Sequence, residues 1–269
     1  MKLLNGAELA EFIKERQARA VRGLRQAYDV APKLAIIVTK DDPVINTYVR
    51  LKQKYGDDIL IDVEVHRIAQ KDAKQCITKL NEDTGVHGII LQLPLESPEQ
   101  TDELCNMVTP EKDVDALGVN ATHDPATPMA IMWLLAGYNV DLQGKKILLI
   151  GNGKLVGQPL SKQLRASGHD VTVADRSTAD LASLTVNADI IITAAGSPAL
   201  LFPDMIKDKA VVVDAGVASE DGKTVGDVAP DVYERDDLTI TPTKGGVGPL
   251  TVTALFENVI TAARKSDDS

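Results

Sequence analysis

Short apolar runs alternate with longer amphipathic segments along the first half of the chain. The runs have the length of buried strands, and the segments between them place apolar residues at helical spacing. We predict strands over 33–38, 63–68 and 88–93. We predict helices over 6–28, from 41 to about 55, over 73–81 and over 98–108. This alternation of strand and helix predicts parallel pairing with right-handed crossovers.

The same alternation resumes in the second half, after a predicted linker over 119–125 and a helix that starts near Pro125 and runs to about Tyr138. The predicted strands there cover 146–150, 170–174, 189–194, 210–214 and 238–241, and a helix covers 250–265. We expect the last four residues to be frayed. The chain is therefore predicted to be an α/β protein with two parallel-sheet domains.

A glycine turn interrupts the pattern after the strand at 147–150. Gly151-Asn152-Gly153 follows that strand, Lys154 begins the expected helix, and Gly157 completes a G-x-G-x-x-x-G spacing. Such a turn lets backbone N–H groups approach a pyrophosphate at a helix N-terminus, although glycine turns that are purely structural also follow strands.

The end of the next predicted strand favours the dinucleotide interpretation. Asp175 and Arg176 lie there, 24 residues or more beyond Gly151. An acid at this place hydrogen-bonds the ribose 2′-hydroxyl of NAD, whereas an arginine pairs with the 2′-phosphate of NADP. The alternative is that Asp175 caps the following turn and Arg176 is solvated.

Composition narrows the class of protein. Hydrophobic residues make up 44% of the 269 residues and aromatic residues only 3%, so we expect a core of Val, Ile, Leu and Ala. The formal net charge of −10 argues against nucleic acid or an anionic membrane as a partner. Cys76 and Cys105 lie in predicted helices without metal-like spacing, which predicts a reduced cytoplasmic protein with no metal site. The histidines at 66, 87, 123 and 169 share no catalytic spacing, and we interpret them as structural.

A set of short motifs, in a fixed order along nearly the whole chain, resembles the bifunctional methylenetetrahydrofolate dehydrogenase/cyclohydrolase family. The motifs are Tyr48-x-x-x-Lys52, Gln92-Leu93-Pro94-Leu95, Pro110-Glu111-Lys112-Asp113-Val114-Asp115, Thr127-Pro128, Gly151-x-x-x-x-Val156-Gly157-x-Pro159, Gly226-Asp227-Val228 and Gly245-Gly246-Val247-Gly248-Pro249-x-Thr251.

The resemblance implies two α/β domains with a cleft between them. An N-terminal folate-binding catalytic domain would cover 1–120 and be completed by the C-terminal helix at 250–269. A Rossmann-like NAD(P)-binding domain would cover 121–249. The implied reactions are oxidation of 5,10-methylenetetrahydrofolate with NADP and hydrolysis of the methenyl product to 10-formyltetrahydrofolate. Tetrahydrofolate derivatives, including polyglutamylated forms, would be the substrates, and the resemblance also implies a homodimer.

The resemblance assigns the catalytic and pterin-facing residues to the first domain. Lys52 is the implied catalytic lysine, and Tyr48 lies four residues before it on the same helix face. A lysine in a partly dry site near a cationic substrate has a depressed pKa and handles protons near neutrality. Gln92 would position that lysine, and Asp115 would accept hydrogen bonds from the pterin. Without the resemblance, a solvated helix lysine and a core tyrosine would be the better interpretations.

Two larger sets follow from the same motifs. The predicted substrate-binding residues are Tyr48, Lys52, Gln92, Leu93, Asp115, Gly245, Gly246, Pro249 and Thr251. The predicted cofactor-binding residues are Gly151, Asn152, Gly153, Val156, Gly157, Asp175, Arg176, Val217 and Gly248.

Three positions depart from the family pattern. Asn152 stands where an arginine often contacts the 2′-phosphate, and Arg176 is the residue that would replace it, so we predict NADP with NAD as the alternative. Glu96 and Lys244 each stand where the family often has proline. Lys244 is a candidate to meet the glutamate tail of the folate.

Three other functions compete with this one. The first is a folate dehydrogenase in which the hydrolytic step is weak, and the second is a catalytically silent dinucleotide-binding regulator. The intact set of Tyr48, Lys52, Gln92 and Asp115 argues against a regulator, which needs only the second domain. The third is an enzyme resembling shikimate dehydrogenase, against which the motifs at 112–115 and 245–248 argue.

Overall fold

The computed structural model describes residues 1–220 and 223–267. The strands, in chain order, are β1 (Lys2–Leu3), β2 (Lys33–Val38), β3 (Asp62–Arg67), β4 (Gly88–Leu91), β5 (Ile147–Ile150), β6 (Val171–Ala174), β7 (Ile190–Thr193), β8 (Val211–Asp214), β9 (Ala218–Glu220), β10 (Lys223–Val225) and β11 (Thr239–Ile240). The α-helices are α1 (Gly6–Ala27), α2 (Pro43–Ile59), α3 (Ala73–Glu82), α4 (Thr101–Cys105), α5 (Ala126–Gly137), α6 (Gly157–Ala166), α7 (Leu181–Thr185) and α8 (Val247–Asp267).

The chain divides into two compact units, each built on its own parallel sheet. The six-stranded unit comprises Met1–Ala10 and Thr127–Thr251, and the three-stranded unit comprises Glu11–Ala126 and Val252–Ser269. The two-domain α/β class predicted from the sequence is therefore confirmed.

The division differs from the predicted boundaries at the N-terminus. The first ten residues belong with the six-stranded unit, because β1 pairs in parallel with β11 through Lys2↔Thr239 and Leu3↔Ile240. The division between the units also falls at 126/127 rather than within the predicted linker at 119–125. Asp268 and Ser269, in the predicted C-terminal helix and frayed tail, lie outside the described residues.

The three-stranded unit has the order β3-β2-β4, and both pairings are parallel, as predicted. β2 is central and reads Leu-Ala-Ile-Ile-Val over its buried positions, as expected for a strand covered on both faces. One face packs against α1, α2 and α8 through residues that include Val21, Val49 and Phe256. The other face packs against α3 and the segment that follows β4.

The six-stranded unit has the order β1-β11-β8-β7-β5-β6, with every pairing parallel. The chain order reverses at β5, which lies between β6 and β7. A parallel sheet of this kind binds ligands at the carboxyl ends of its strands, beside the point of reversal. The predicted glycine turn follows β5 and therefore lies at that point.

Most predicted elements are confirmed to within a few residues, and the differences have local causes. α6 begins at Gly157 rather than at Lys154, because the glycine turn extends through residues 151–156. The predicted helix at 98–108 is a 3₁₀ turn at Pro98–Gln100 followed by the short α4. β1, α7 and the β9–β10 hairpin were not predicted, since each is too short to show a period. In the described part of the chain, no helix has the length and apolar content needed to cross a bilayer.

Candidate active site

α2 presents the predicted lysine and tyrosine, and its first turn is fixed by the sequence that precedes it. The Asp42 carboxylate caps the helix by accepting from the backbone N–H of Val44 (2.8 Å), and Pro43 occupies the first helical position. Tyr48 follows on the helix and is 45% exposed, so it is not a core residue. An exposed ring at this place is available to lie against a flat ligand.

Lys52 is joined to the end of β4 by a hydrogen bond. Its Nζ donates to Gln92 Oε1 at 2.8 Å, and the Gln92 amide nitrogen donates in turn to the carbonyl oxygen of Leu93 (3.0 Å). The glutamine is therefore oriented by the backbone, with its oxygen directed at the lysine. Leu93 is half-buried and packs against the core on the α3 face of the sheet.

Asp115 and Lys52 influence each other's ionisation. Burial lowers the pKa of Lys52 below its usual 10.5, and the negative charge of Asp115 opposes that shift. Burial likewise raises the pKa of Asp115, against the opposing effect of the Lys52 charge. Burial thus moves both groups toward their neutral forms, and perturbed pKa values of this kind are common at sites of proton transfer.

Asp113 stabilises the turn that follows it through side-chain hydrogen bonds to the backbone. Its side chain is 4% exposed and accepts from the backbone N–H of Gly118 (2.8 Å) and of Leu117 (3.4 Å). It therefore holds the turn that carries Asp115. Residues 112–114 run beside β4, with a parallel bridge between Asp113 and Ile89.

The glycine turn after β5 is shaped by close backbone approach. Gly151 has φ +110°, and a Cβ there would lie 2.4 Å from the carbonyl oxygen of Ala194, after β7. A Cβ on Gly157 would lie 2.0 Å from the carbonyl oxygen of Gly151. Gly153 has open space around it, and Asn152 is exposed while Val156 is half-buried. Loops this tight at the point of strand reversal fit a pyrophosphate held by backbone N–H groups at the start of α6.

The Asp175 carboxylate is engaged by its own loop. It accepts from the backbone N–H of Ser177 (2.9 Å) and from the Ser177 hydroxyl (2.6 Å), and these bonds lower the pKa of Asp175. The turn-capping alternative for Asp175 is thus what the structure contains. Arg176 is exposed and, among the described residues, makes no salt bridge.

Two carboxylates, the buried Asp227 and the half-buried Asp214, hold the loops at the carboxyl ends of β7 and β8. Asp227 accepts from the backbone N–H groups of Ala195 (2.8 Å) and Ser197 (2.7 Å). Asp214 accepts from the backbone N–H of Gly216 (3.0 Å). Burial raises the pKa of Asp227, and the neighbouring Asp214 charge adds to that effect. Val217, the predicted nicotinamide contact, follows this anchored turn and is 63% exposed.

The second glycine-rich loop leads into α8. Gly245 has φ +80°, and its carbonyl oxygen accepts from the backbone N–H of Ala7 (2.9 Å). A Cβ on Gly6 would lie 1.9 Å from the carbonyl oxygen of Gly246, so the N-terminal segment packs directly on this loop. Gly248 is exposed, and Thr251 Oγ1 donates to its carbonyl oxygen (2.6 Å). Pro249 lies between them in the first turn of α8.

The predicted site residues thus fall into two groups. Tyr48, Lys52, Gln92, Leu93 and Asp115 belong to the three-stranded unit. The predicted cofactor residues, together with Gly245, Gly246, Pro249 and Thr251, belong to the six-stranded unit. Within residues 1–220 and 223–267, no cluster of three His, Cys, Asp or Glu side chains is arranged to hold a metal ion. His87 and His123 instead contact the backbone at Lys33 and Glu111.

Two family models match the chain and together cover most of it. Residues 4–115 match the catalytic domain of tetrahydrofolate dehydrogenase/cyclohydrolase, and residues 125–267 match its NAD(P)-binding domain. The chain belongs to this family. The matched ranges correspond to the two groups of predicted site residues, so the likeness covers both groups.

Individual relatives agree with the family models. A bifunctional protein FolD from a Nitratiruptor species is 35% identical over 98% of this chain and 99% of its own length. The crystal structure of FolD from Campylobacter jejuni superimposes with a TM-score of 0.92 at 36% identity, covering 98% of this chain and 99% of that one. The crystal structure of FolD from Trypanosoma brucei, solved with NADP and an inhibitor, superimposes with a TM-score of 0.92 at 30% identity. The match covers 99% of this chain and 98% of that one.

The sequence did not identify Asp214, Asp227 and Ser197 as residues that shape the site. Asp227 lies in a motif used to recognise the family, yet its contacts join residues 32 and 30 positions apart along the chain. The signal in the sequence was a glycine close to each acid: Gly216 lies two residues after Asp214, and Gly226 directly precedes Asp227. A Cβ on Gly216 would lie 2.1 Å from the Asp227 carboxyl carbon, and a Cβ on Gly226 would lie 2.0 Å from an Asp214 oxygen.

Proposed function

We propose that the protein oxidises 5,10-methylenetetrahydrofolate with NADP and hydrolyses the methenyl product to 10-formyltetrahydrofolate. The observation that carries the proposal is the hydrogen bond from Lys52 Nζ to Gln92 Oε1, made by a lysine whose pKa is depressed by burial. Membership of the tetrahydrofolate dehydrogenase/cyclohydrolase family supplies the substrate class.

Lys52 acts in the hydrolytic step. Water adds to the methenyl carbon and must lose a proton, and a neutral lysine accepts that proton on its Nζ lone pair. The bond between the same carbon and N5 then breaks, N5 receives a proton, and the formyl group remains on N10. Gln92 keeps its oxygen as an acceptor for an Nζ hydrogen, so the lone pair is left to face the water.

Asp115 and Tyr48 bind the pterin in this proposal. A carboxylate accepts hydrogen bonds from the N–H-rich edge of the aminopyrimidine, and an exposed aromatic ring lies against the flat heterocycle. Asp115 has a second effect, because its charge limits how far the pKa of Lys52 falls. Backbone groups of Gly245 and Gly246, with Pro249 and Thr251, complete the proposed folate contacts.

The proposed cofactor contacts follow the glycine turn and the carboxyl ends of the strands. When bound, the nicotinamide accepts the hydride that leaves the methylene carbon. Gly151, Asn152, Gly153, Val156 and Gly157 hold the pyrophosphate through the turn and the start of α6. Val217 and Gly248 are the proposed contacts of the nicotinamide end.

The coenzyme 2′-phosphate is assigned to Arg176. The neighbouring Asp175 carboxylate is held by Ser177 through two hydrogen bonds to Oδ1, so this oxygen is turned into its own loop. An acid engaged in this way is less available to a ribose 2′-hydroxyl. The exposed guanidinium beside it suits a phosphate, and NADP is therefore favoured over NAD.

The test is an absorbance assay of methylenetetrahydrofolate oxidation with NADP and NAD in parallel, followed by methenyl hydrolysis. We expect turnover with NADP and onward hydrolysis. In Lys52→Met, hydrolysis should fall by about 10²- to 10⁴-fold, the usual contribution of a general base, while folate still binds. Methenyl accumulation in the wild type would indicate a dehydrogenase alone, and absence of turnover with either coenzyme would favour a regulator.

A homodimer working in the cytoplasm is the remaining part of the proposal. It rests on the family resemblance. Light scattering on the purified chain, with and without NADP, tests the oligomeric state. A monomer under both conditions would remove this part of the proposal and leave the chemistry untouched.

A further inference from the structure

The segment 112–115, which ends in Asp115, is held from two sides within the three-stranded unit. The side chain of Lys112 binds it to the end of α3, and the side chain of Asn258 binds it to α8. Neither side chain belongs to the catalytic or binding sets described above. Because Asp115 is the proposed partner of the pterin, the contacts that fix this segment also fix that carboxylate.

Lys112 closes the carboxyl end of α3. Its Nζ donates to the carbonyl oxygens of Leu80 (3.0 Å), Asn81 (2.9 Å) and Asp83 (2.6 Å). The last carbonyl groups of a helix have no partner within the helix, and their partial negative charge favours a cation. An ammonium group has three hydrogens, and these three acceptors use all of them. Lys112 therefore ties the segment to the helix and has no hydrogen left for a ligand.

Asn258 holds the same segment from the opposite side. It is 5% exposed, and its Nδ2 donates to the carbonyl oxygens of Val114 (2.9 Å) and Asp124 (2.9 Å). Val114 is fully buried in the core, and a Cβ on Gly88 would lie 3.0 Å from its side chain. Its carbonyl oxygen thus has a partner where an unpaired one would be costly. Asp115 follows directly from this fixed position.

The backbone between the two contacts is short and has little freedom. The N–H of Ile89 in β4 donates to the carbonyl oxygen of Lys112 (2.8 Å), and the N–H of Val114 donates to the same oxygen (2.9 Å). Asp115 is three residues from Lys112 and one from Val114. A shift of the backbone at either contact is therefore transmitted to the Asp115 carboxylate.

We propose that Lys112 and Asn258 are positioning residues for Asp115, which hold its carboxylate where the aminopyrimidine edge of the pterin binds. This inference rests on the proposed function, which assigns the pterin to Asp115. The two side chains act on Lys52 as well, because the negative charge of Asp115 opposes the fall in the pKa of that lysine. An Asp115 carboxylate released from its place would leave Lys52 with a lower pKa. Methenyl hydrolysis would then rise at lower pH than in the wild type.

The test uses variants of the full-length protein. Lys112→Met removes the ammonium group, and Asn258→Leu replaces the amide with an apolar side chain of the same branching. Lys112→Arg keeps the positive charge and N–H donors, so it serves as the rescue. The matched control is Lys33→Met, which removes a half-buried lysine paired with Glu64 (2.8 Å) at the amino end of β2.

Three quantities are measured for each variant: Kd for tetrahydrofolate and for NADP, KM and kcat for both reactions, and the pH profile of methenyl hydrolysis at saturating substrate. In Lys112→Met and Asn258→Leu, Kd for tetrahydrofolate and KM for the folate substrates should rise about tenfold to a hundredfold, as expected when hydrogen bonds to a charged group are lost. Kd for NADP should be unchanged, and the pH profile should move downward. Lys112→Arg and Lys33→Met should behave like the wild type.

The direction of the pH shift separates a positioning role from two simpler effects. Loss of the positive charge at Lys112 would by itself raise the pKa of Lys52 and move the profile upward. General destabilisation would lower the unfolding temperature without moving the profile of the folded protein. Asn258→Leu changes no charge, so a downward shift there reports movement of Asp115. If one of the two variants does not fold, the other decides the question.

Unchanged tetrahydrofolate Kd and pH profile in Lys112→Met and Asn258→Leu would overturn the inference, and so would an upward shift in Lys112→Met without a shift in Asn258→Leu. Asp115→Asn is the reference that separates these results from failure of the proposed function. Weak tetrahydrofolate binding in all three variants of a protein without turnover would support the positioning role and reject the reactions. Turnover in the wild type, with weak binding in Asp115→Asn alone, would support the reactions and reject the positioning role. Full affinity in Asp115→Asn would overturn both the positioning role and the proposed pterin contact.

Discussion

At the scale of single residues, the pKa of Lys52 is the property on which the proposed role of this lysine in hydrolysis depends. Burial lowers that pKa below 10.5, so a larger fraction of the lysine is neutral at a given pH. In the proposed mechanism, the neutral lysine is the proton acceptor. Methenyl hydrolysis should therefore rise with pH through the pKa of Lys52, and the rise should be centred below the usual lysine value.

Gln92→Glu tests this relation. A carboxylate at the position of Gln92 Oε1, 2.8 Å from Nζ, stabilises the charged lysine and should raise its pKa by about 1–3 units. The pH profile of methenyl hydrolysis should move upward by the same amount. The rate of methenyl hydrolysis near neutrality should fall about tenfold for each unit by which the pKa of Lys52 rises.

Gln75→Glu is the control for that variant, because it makes the same charge change on an exposed position of α3. Its pH profile should coincide with that of the wild type. If the pH profile of methenyl hydrolysis in Gln92→Glu also coincides with that of the wild type, the ionisation of Lys52 does not control hydrolysis.

Arg176 is the residue that we propose to determine the choice of coenzyme. Arg176→Gln removes the proposed partner of the 2′-phosphate, and hydrogen bonds to a charged group contribute about 1.5–3 kcal/mol. KM for NADP should rise by roughly tenfold to a hundredfold, while KM for NAD stays close to its original value. Initial-rate measurements with both coenzymes provide the comparison.

Lys162→Gln, an exposed charge change on α6, is the control for Arg176→Gln. It should leave both KM values unchanged. If Arg176→Gln leaves KM for NADP unchanged, the phosphate contact lies elsewhere.

At the scale of elements, two glycines in the turn between β5 and α6 differ in the space around them, because an added Cβ would clash at Gly157 and would not clash at Gly153. Gly157→Ala would place a Cβ 2.0 Å from the carbonyl oxygen of Gly151, so the turn must open. We expect a loss of about 1–3 kcal/mol in the free energy of unfolding, typical of overpacking, together with weaker NADP binding. Thermal unfolding with and without NADP measures both effects.

Gly153→Ala is the matched control within the same turn. Gly153 has no heavy atom within 4 Å of an added Cβ and no positive φ, so the unfolding temperature should hardly change. Equal destabilisation by the two substitutions would mean that close backbone approach does not explain the glycine at 157.

The strands were the elements that the sequence predicted best, and the reason is physical. β2, β4 and β5 are buried on both faces, so their apolar runs stand out from the flanking polar residues. The start of α6 was placed three residues too early, because Lys154 and Leu155 have helix-forming side chains but belong to the turn. Helix propensity depends on residue type alone. It therefore does not include the close approach of Gly157 to Gly151, which moves the start of the helix to residue 157.

The candidate site divides in the same way between what the sequence reveals and what it does not. The four-residue spacing of Tyr48 and Lys52 already places both side chains on one helix face. Nothing in the sequence shows that Asp175 is engaged by Ser177, or that Asp227 anchors the loop at 195–197. Those contacts depend on backbone geometry after each strand ends, which residue types alone do not specify.

At the scale of the whole molecule, the division of the chain into units was the least predictable feature. β1 pairs with β11 across more than 230 positions, and a two-residue strand carries no periodic signal. The predicted catalytic domain at 1–120 therefore included ten residues that belong with the six-stranded unit. Long-range pairing decided the division, and local composition did not reveal it.

The division predicts separate responses to the two ligands in hydrogen exchange. NADP should slow exchange of backbone amides at 151–157 and 194–197, where the six-stranded unit has its tight loops. Tetrahydrofolate should slow exchange at 113–118, where the Asp113 turn carries Asp115. A ligand at a hundred times its Kd stabilises the form that binds it by about 2.7 kcal/mol, enough to change exchange rates about a hundredfold. Helix α3, which carries none of the proposed contacts, is the internal control. Protection by NADP at 113–118 without protection at 151–157 would contradict the assignment of the coenzyme to the six-stranded unit.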